Sequence, residues 1–469
     1  MKYVSTRGHA PELSFKDALL VGLASDGGLY VPSQWPVFTQ EEIAQLRGKP
    51  YVDVALQIFE PFVGGEIDSD ALRSMITDAY STFRHPAVTP LVQTGPNDWL
   101  LELFHGPTLA FKDVAMQVLA RLMDYVLEER GEQLTIVGAT SGDTGGAAMS
   151  AFQACKEIQT FFMFPDGRVS DFQRRQMTTL GAENCHAIAI DGNFDDCQSM
   201  VKAMFADDQF CETVQLSAVN SINWGRVMAQ VVYYFTSALA LGAPASKVSF
   251  TVPTGNFGDI YAGFVAKKMG LPIDQLVIAT NENDILERTL RTGQHSLKKV
   301  VATITPSMDI QISSNFERLL FEASDREPAI VRGLMDSLKQ SSSYDLPASV
   351  AEAISEDFEA GRATQTETLA EILRLYTDAG YISDPHTAVA TFVAKQNANS
   401  DVPMVTLSTA HPAKFPDAVQ SAIGLVPAPP AGREIAEDAR EELIRMENDI
   451  GAVKAAILTK LNVVSTRDG

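Results

Sequence analysis

The chain has 469 residues, 37 basic against 59 acidic side chains and a net charge of −22, and its length suits about three units of roughly 150 residues. With 45% hydrophobic and 20% charged residues it can bury a large core and is no disordered tail. The acidic excess excludes nucleic acid and anionic membrane as partners, since both need basic surface, so an anionic ligand requires a local pocket. Cys155, Cys185, Cys197 and Cys211 form no C-x-x-C pair and, with the seven histidines, no metal-ligand spacing; they read as free thiols of a reducing compartment. The opening MKYVSTRGHAPELSF has neither a signal-peptide core nor an Arg-rich transit face. The apolar stretch 227–243 is broken by Gln230, Thr236 and Ser237 and falls short of the about 20 apolar residues of a membrane span. The expected location is the cytoplasm.

Helical periodicity marks 15–23, 41–46, 51–62 and 68–83, punctuated by Gly27-Gly28, Pro32 and Pro36. From about 98 the pattern changes. Strands are expected at 134–138, 160–164, 186–190, 248–252, 276–280 and 404–408. Helices are expected at 145–155, 195–205, 222–241, 259–269, 366–379 and 385–395. Such alternation implies βαβ units and mainly parallel sheet. Between about 283 and 365 the rhythm weakens into polar, helix-prone sequence that reads as an insertion. Pro427-Ala428-Pro429-Pro430-Ala431-Gly432 reads as a stiff linker, and 433–447 as a charge-rich helix with a solvated face.

Three loops have the composition of binding segments. Pro253-Thr254-Gly255-Asn256-Phe257-Gly258-Asp259 joins a strand to a helix, where free N–H groups and the helix dipole attract an anion; an ordinary strand-to-helix turn reads the same. Thr140-Ser141-Gly142-Asp143-Thr144-Gly145 repeats the arrangement with added hydroxyls, suited to a carboxylate or a second phosphate. Asp143 would repel an anion there, so its side chain is expected to point away or to bond backbone. Neither loop is a P-loop or a G-x-G-x-x-G fingerprint, which disfavours nucleotides. Lys112, after Phe104-His105-Gly106-Pro107-Thr108-Leu109-Ala110-Phe111, sits where an apolar run meets a helix N-terminus. Burial and the dipole both favour the neutral amine that attacks carbonyls, although a surface lysine over an apolar patch has the same signature. A desolvated lysine, a phosphate cradle and a carboxylate loop together are what a pyridoxal phosphate site needs. Ser408-Thr409-Ala410-His411 adds a neutral hydroxyl able to face a pyridine nitrogen.

These segments resemble the threonine synthase family, in its longer enteric-bacterial and fungal form. The resemblance also covers Tyr3 to Gly8, Ser25 to Pro32, Val219 to Arg226 and Ser408 to Phe415, and so runs through nearly the whole chain. It implies the α/β type II pyridoxal-phosphate fold, similar to tryptophan synthase β, with two α/β domains, the cofactor between them and a mostly helical N-terminal segment. On that basis the chain divides into 1–95, 96–215 with Lys112, 216–426 with the phosphate loop and insertion, and 427–469 as linker and C-terminal helix. The implied activity converts O-phospho-L-homoserine and water into L-threonine and phosphate with pyridoxal 5'-phosphate. The alternative is a phospho-lyase of the same fold that releases 2-oxobutyrate. By resemblance, Lys112 is the Schiff-base lysine; Gly255, Asn256, Phe257, Gly258 and Asp259 contact the cofactor, and Thr409 its ring nitrogen. Thr140, Ser141, Gly142, Asp143 and Thr144 correspond to the substrate-carboxylate loop, with Asp143 where relatives carry an Asn toward the ring oxygen. Arg226 and Lys414 are the expected cations for the substrate phosphate. No metal is expected.

Overall fold

The computed structural model describes residues 1–436 and 438–462. The chain forms two compact units, one of residues 1–111 with 221–429, the other of residues 112–220 with the chain from 430 onward. The strands of the two large sheets are, in chain order, β1 (Leu91–Gln93), β2 (Asp98–Glu102), β3 (Leu134–Ala139), β4 (Ile158–Pro165), β5 (Cys185–Asp191), β6 (Leu216–Ser217), β7 (Val248–Pro253), β8 (Ile273–Thr280), β9 (Phe358–Arg362), β10 (Met404–Ser408) and β11 (Ile444–Glu447). The helices needed below are α1 (Lys112–Arg130), α2 (Asp143–Phe152), α3 (Asp171–Thr178), α4 (Trp224–Ala240), α5 (Gly258–Lys268), α6 (Pro385–Gln396) and α7 (Ile450–Lys460).

The first unit is built on a six-stranded sheet in the order β9-β8-β7-β10-β2-β1, parallel except for β1. Every residue of β7 and β10 is buried, as expected for central parallel strands covered on both faces. Because β7, β10 and β2 are neighbours and parallel, the chain leaving their C-terminal ends emerges at one edge of the sheet. Residues 254–257, Thr409 and the segment from Leu103 therefore share the edge where open α/β sheets bind ligands. The N-terminal helices Phe15–Val21, Gln40–Gln45, Tyr51–Val63 and Ser69–Tyr80 also belong to this unit. Trp224, at the start of α4, takes rings from Tyr3 and Phe62 with centroids 6.0 and 5.5 Å away.

The second unit carries a five-stranded, wholly parallel sheet, β11-β5-β4-β3-β6. One side of its core joins Val137, Phe161, Ile188, Met200, Val453 and Ile457.

The strongly periodic elements lie within a few residues of their expected positions, and two readings are corrected. The expected helix over 433–447 is absent: its end is strand β11, whose Ile444 and Met446 are half-buried while Arg445 and Glu447 are exposed. That period of two is the mark of a strand, and abundant charge had hidden it; the C-terminal helix starts later, at Ile450. The segment read as an insertion contributes β9, which pairs in parallel with β8. Helix α3 was not among the expected elements, because DFQRRQMT has too little apolar content to mark it. No helix among the described residues is long and apolar enough to cross a membrane.

Candidate active site

In the first unit, the loop after β7 is bent by Phe257, which has a left-handed φ of 65°. A non-glycine residue there costs on the order of 1 kcal/mol, offset by burial of its ring against Phe316 and Phe358. The loop's carbonyls are drawn to one side: Ser313 Oγ donates to Gly255 O at 2.7 Å, and the backbone N–H and Nδ2 of Asn315 donate to Asn256 O at 3.1 and 3.0 Å. None of the backbone N–H groups from Gly255 to Ile260 finds a protein acceptor among the described residues. Unmatched backbone donors cost free energy where they are buried, as Phe257 to Ile260 are, and a row of free donors at the start of α5 fits a phosphate. Gly255 is required because an added Cβ would lie 2.5 Å from Ser307 O. The Asp259 side chain is turned to two phenols: its buried Oδ1 accepts from Tyr233 and Tyr234, and burial raises its pKa to about 7.

Thr409 follows β10 at the same edge. Its carbonyl accepts the N–H of Phe111 at 2.8 Å, and His411 N–H donates to Leu109 O at 3.0 Å. The strand ends 109–111 and 409–411 are thus zipped, which fixes the residue directly before Lys112. The Thr409 hydroxyl has no protein partner among the described residues.

In the second unit, Lys112 opens α1, and its Nζ lies 3.8 Å from Asp143 Oδ2 with both side chains largely buried. Asp143 therefore does not point away; it faces the lysine, a correction to the sequence reading. Its other oxygen accepts from Gln173 Nε2 at 2.8 Å. A counter-charge for Lys112 explains an acid in a loop otherwise suited to anions. Thr140, itself buried, accepts the N–H groups of Gly142 and Gly145, both at 2.9 Å. Its hydroxyl shapes the loop and leaves the N–H and hydroxyl groups of Ser141 and Thr144 without protein partners among the described residues. Gly142 has φ 128° and closes on Gln173, which would meet any added Cβ at 2.6 Å.

The two expected cations differ. Arg226, in the first turn of α4, is buried; its Nε has no partner, and no carboxylate pairs with it among the described residues. Desolvation pulls its guanidinium down to about 10. Lys414 is also buried, but its Nζ donates to Thr108 O at 2.8 Å.

Sequence reasoning missed Gln173, Ser313 and Asn315. It also missed Arg318, which donates to Tyr30 O and Ile222 O at 2.8 and 2.6 Å and to Asn315 Oδ1. Each acts through a contact across a long stretch of chain, and no local spacing announces such a partner.

Three family models match the chain: "Threonine synthase N terminus" over residues 2–80, "Pyridoxal-phosphate dependent enzyme" over 83–408 and "Threonine synthase, C-terminal" over 387–457. The threonine synthase of Pseudomonas aeruginosa is 50% identical over 459 residues, covering 97% of this chain and 98% of that one. The crystal structure of pyridoxal-phosphate-bound threonine synthase from Brucella melitensis superposes with a TM-score of 0.97 at 58% identity, over 98% and 99% of the two chains. That of yeast threonine synthase does so with 0.92 at 40% identity, over 98% and 99%.

Proposed function

The chain belongs to the threonine synthase family, and from that premise we propose how its residues divide the work of turning O-phospho-L-homoserine and water into L-threonine and phosphate. It is a pyridoxal-phosphate-dependent lyase. When bound, that cofactor supplies the electron sink that makes the substrate's Cα and Cβ protons removable. The N–H row from Gly255 to Ile260 would hold its phosphate, Thr409 would serve its ring nitrogen, and Lys112 would be its Schiff-base lysine. A neutral hydroxyl at the ring nitrogen would leave that nitrogen largely unprotonated and moderate the sink.

Lys112 Nζ would also be the base: set free when the substrate's own amino group takes its place at the aldehyde carbon, it would accept the Cα proton and later return one. Asp143 steadies that amine and balances its charge while it carries a proton. The N–H and hydroxyl groups of Ser141 and Thr144 take the substrate carboxylate on a loop held in shape by Thr140 and Gly142. Arg226 takes the substrate phosphate, assisted by Lys414; a buried guanidinium without a carboxylate is complete only with an anion beside it. The compartment we assign is the cytoplasm, consistent with four cysteines that all remain thiols.

The observation that carries this reading is the row of unmatched N–H groups at Gly255–Ile260. The test is an assay of purified enzyme with O-phospho-L-homoserine that follows phosphate and identifies the carbon product, with Lys112→Ala as control. Phosphate together with threonine, both lost in the variant, is the expected result. Phosphate with 2-oxobutyrate would make the chain a phospho-lyase, and turnover surviving in Lys112→Ala would remove the lysine from its role.

A further inference from the structure

Behind Thr409, within the first unit, runs a buried polar chain that the reaction itself does not employ. Asp384 caps α6: its Oδ1 accepts the N–H of His386 at 2.9 Å and faces His386 Nδ1 at 3.0 Å, while its Oδ2 accepts the hydroxyl of Thr387. Thr387 Oγ1 lies 3.1 Å from Ser408 Oγ, which lies 3.3 Å from the Tyr381 hydroxyl. Tyr381 donates to Glu102 Oε1 at 3.0 Å, and Glu102 Oε2 meets His105 Nε2 at 2.8 Å. Asp384 and Thr387 are wholly buried, and Ser408 is 1% exposed. The chain touches the site at one point: the N–H of Thr409 donates to Thr387 Oγ1 at 3.3 Å.

Counting protons shows what this chain does. A carboxylate only accepts, so Thr387 spends its proton on Asp384 and Tyr381 spends its own on Glu102. Ser408 has one proton and two neighbours that can only accept from it, and Thr387 is the nearer. The donors thus point outward from Ser408 toward both carboxylates. Passing a proton from end to end would require reversing every hydroxyl, so the arrangement does not conduct. It locks instead. Thr387 gives its proton to Asp384, and its oxygen receives Thr409 N–H and Ser408 O–H, which leaves it no other orientation. Thr409 is then held on both sides, by Thr387 at its N–H and by Phe111 at its carbonyl, and its hydroxyl remains the one group available to a ligand.

We propose that Thr387, oriented by Asp384 and Ser408, is a positioning residue that presents the Thr409 hydroxyl to the cofactor ring. The proposal rests on the assignment of Thr409 to the ring nitrogen, and the experiment separates the two. Holoenzyme carrying Thr387→Val, Thr387→Ser, Ser408→Ala or Thr409→Ala, and the double variants Thr387→Val/Thr409→Ala and Ser408→Ala/Thr409→Ala, would be compared with wild type. The readouts are affinity for pyridoxal phosphate on reconstitution, the position of the visible absorption band, and kcat and KM, with circular dichroism to confirm folding.

Thr387→Val should weaken cofactor affinity by about tenfold, the scale of one lost hydrogen bond, shift the band and lower kcat more than it alters KM. Thr387→Ser should restore all three. With Thr409→Ala already present, Thr387→Val should add nothing, because residues acting as one unit are non-additive. An equal loss in both backgrounds, or no loss in either, overturns the proposal. If Thr387→Val does not fold, Ser408→Ala decides: it removes the O–H that Thr387 receives, and its smaller loss, about two- to threefold, must likewise vanish beside Thr409→Ala or the proposal falls. Should Thr409→Ala alone leave affinity and band unchanged, the assignment of Thr409 fails, and the role of Thr387 fails with it.

Discussion

Asp259 stands in the loop after β7 with its carboxyl buried against Tyr233 and Tyr234 and with Oδ2 lacking a partner among the described residues. Burial raises its pKa from 3.8 to about 7, although both tyrosine hydroxyls pull the other way. A carboxyl whose folded pKa exceeds its unfolded one contributes stability that is whole below about pH 4 and is lost as the pH rises through 7. A difference of that size is worth about 4 kcal/mol. Asp259→Asn keeps the shape and the acceptor for Tyr233 but cannot ionise. Its melting temperature relative to wild type should therefore climb by roughly 4–6 °C between pH 4 and pH 8, taking an unfolding entropy of about 2 cal/mol/K per residue. The assay is differential scanning calorimetry of both holoenzymes across that range. Melting curves that keep a constant separation would show that Asp259 does not titrate differently in the fold, and the reading of its burial would be wrong.

Arg226→Gln should raise KM for O-phospho-L-homoserine at least about tenfold with a smaller change in kcat. It should also stabilise the fold by about 1–3 kcal/mol, since a buried, unpaired cation is removed; steady-state kinetics and urea unfolding check the two signs, and unchanged values in both would dismiss Arg226. Thr140→Val strands the N–H groups of Gly142 and Gly145, so a loss of about 2–4 kcal/mol and a fall in kcat/KM are expected; undiminished activity would show that the hydroxyl does not shape the loop. Ile457→Ala, on α7 and wholly buried, should cost about 2–5 kcal/mol in chemical denaturation, and a negligible cost would mean that α7 does not complete the second unit's core.

Legibility in the sequence followed the range of the interaction. The long helix at 222–241 and the apolar strand at 248–252 were plain because their signals are local and periodic. Lys112, the 140–145 loop and the 253–259 loop were visible as residue types at strand-to-helix junctions. The orientation of Asp143 was not, because the groups that decide it, Lys112 and Gln173, lie far away in sequence. Asn315 was hidden for the same reason: its place beneath the phosphate loop exists only after residues 59 positions apart have met. Strand β11 was misread because Arg445 and Glu447 satisfy a helix's composition as readily as a strand's exposed face.

The parallel pairing of β11 with β5 has a consequence for how the chain is made. On the ribosome, β3 to β6 emerge together, yet the strand that covers the outer edge of β5 is synthesised about 250 residues after it. At about 5–20 residues per second, that edge stays open for on the order of ten to fifty seconds after β5 is complete. Its free N–H and C=O groups are then a template for any extended segment nearby, including the β5 of a neighbouring nascent chain. Strand β11 therefore acts as a late seal, and translation that stops short of it should leave a product that self-associates, however well the earlier strands have packed.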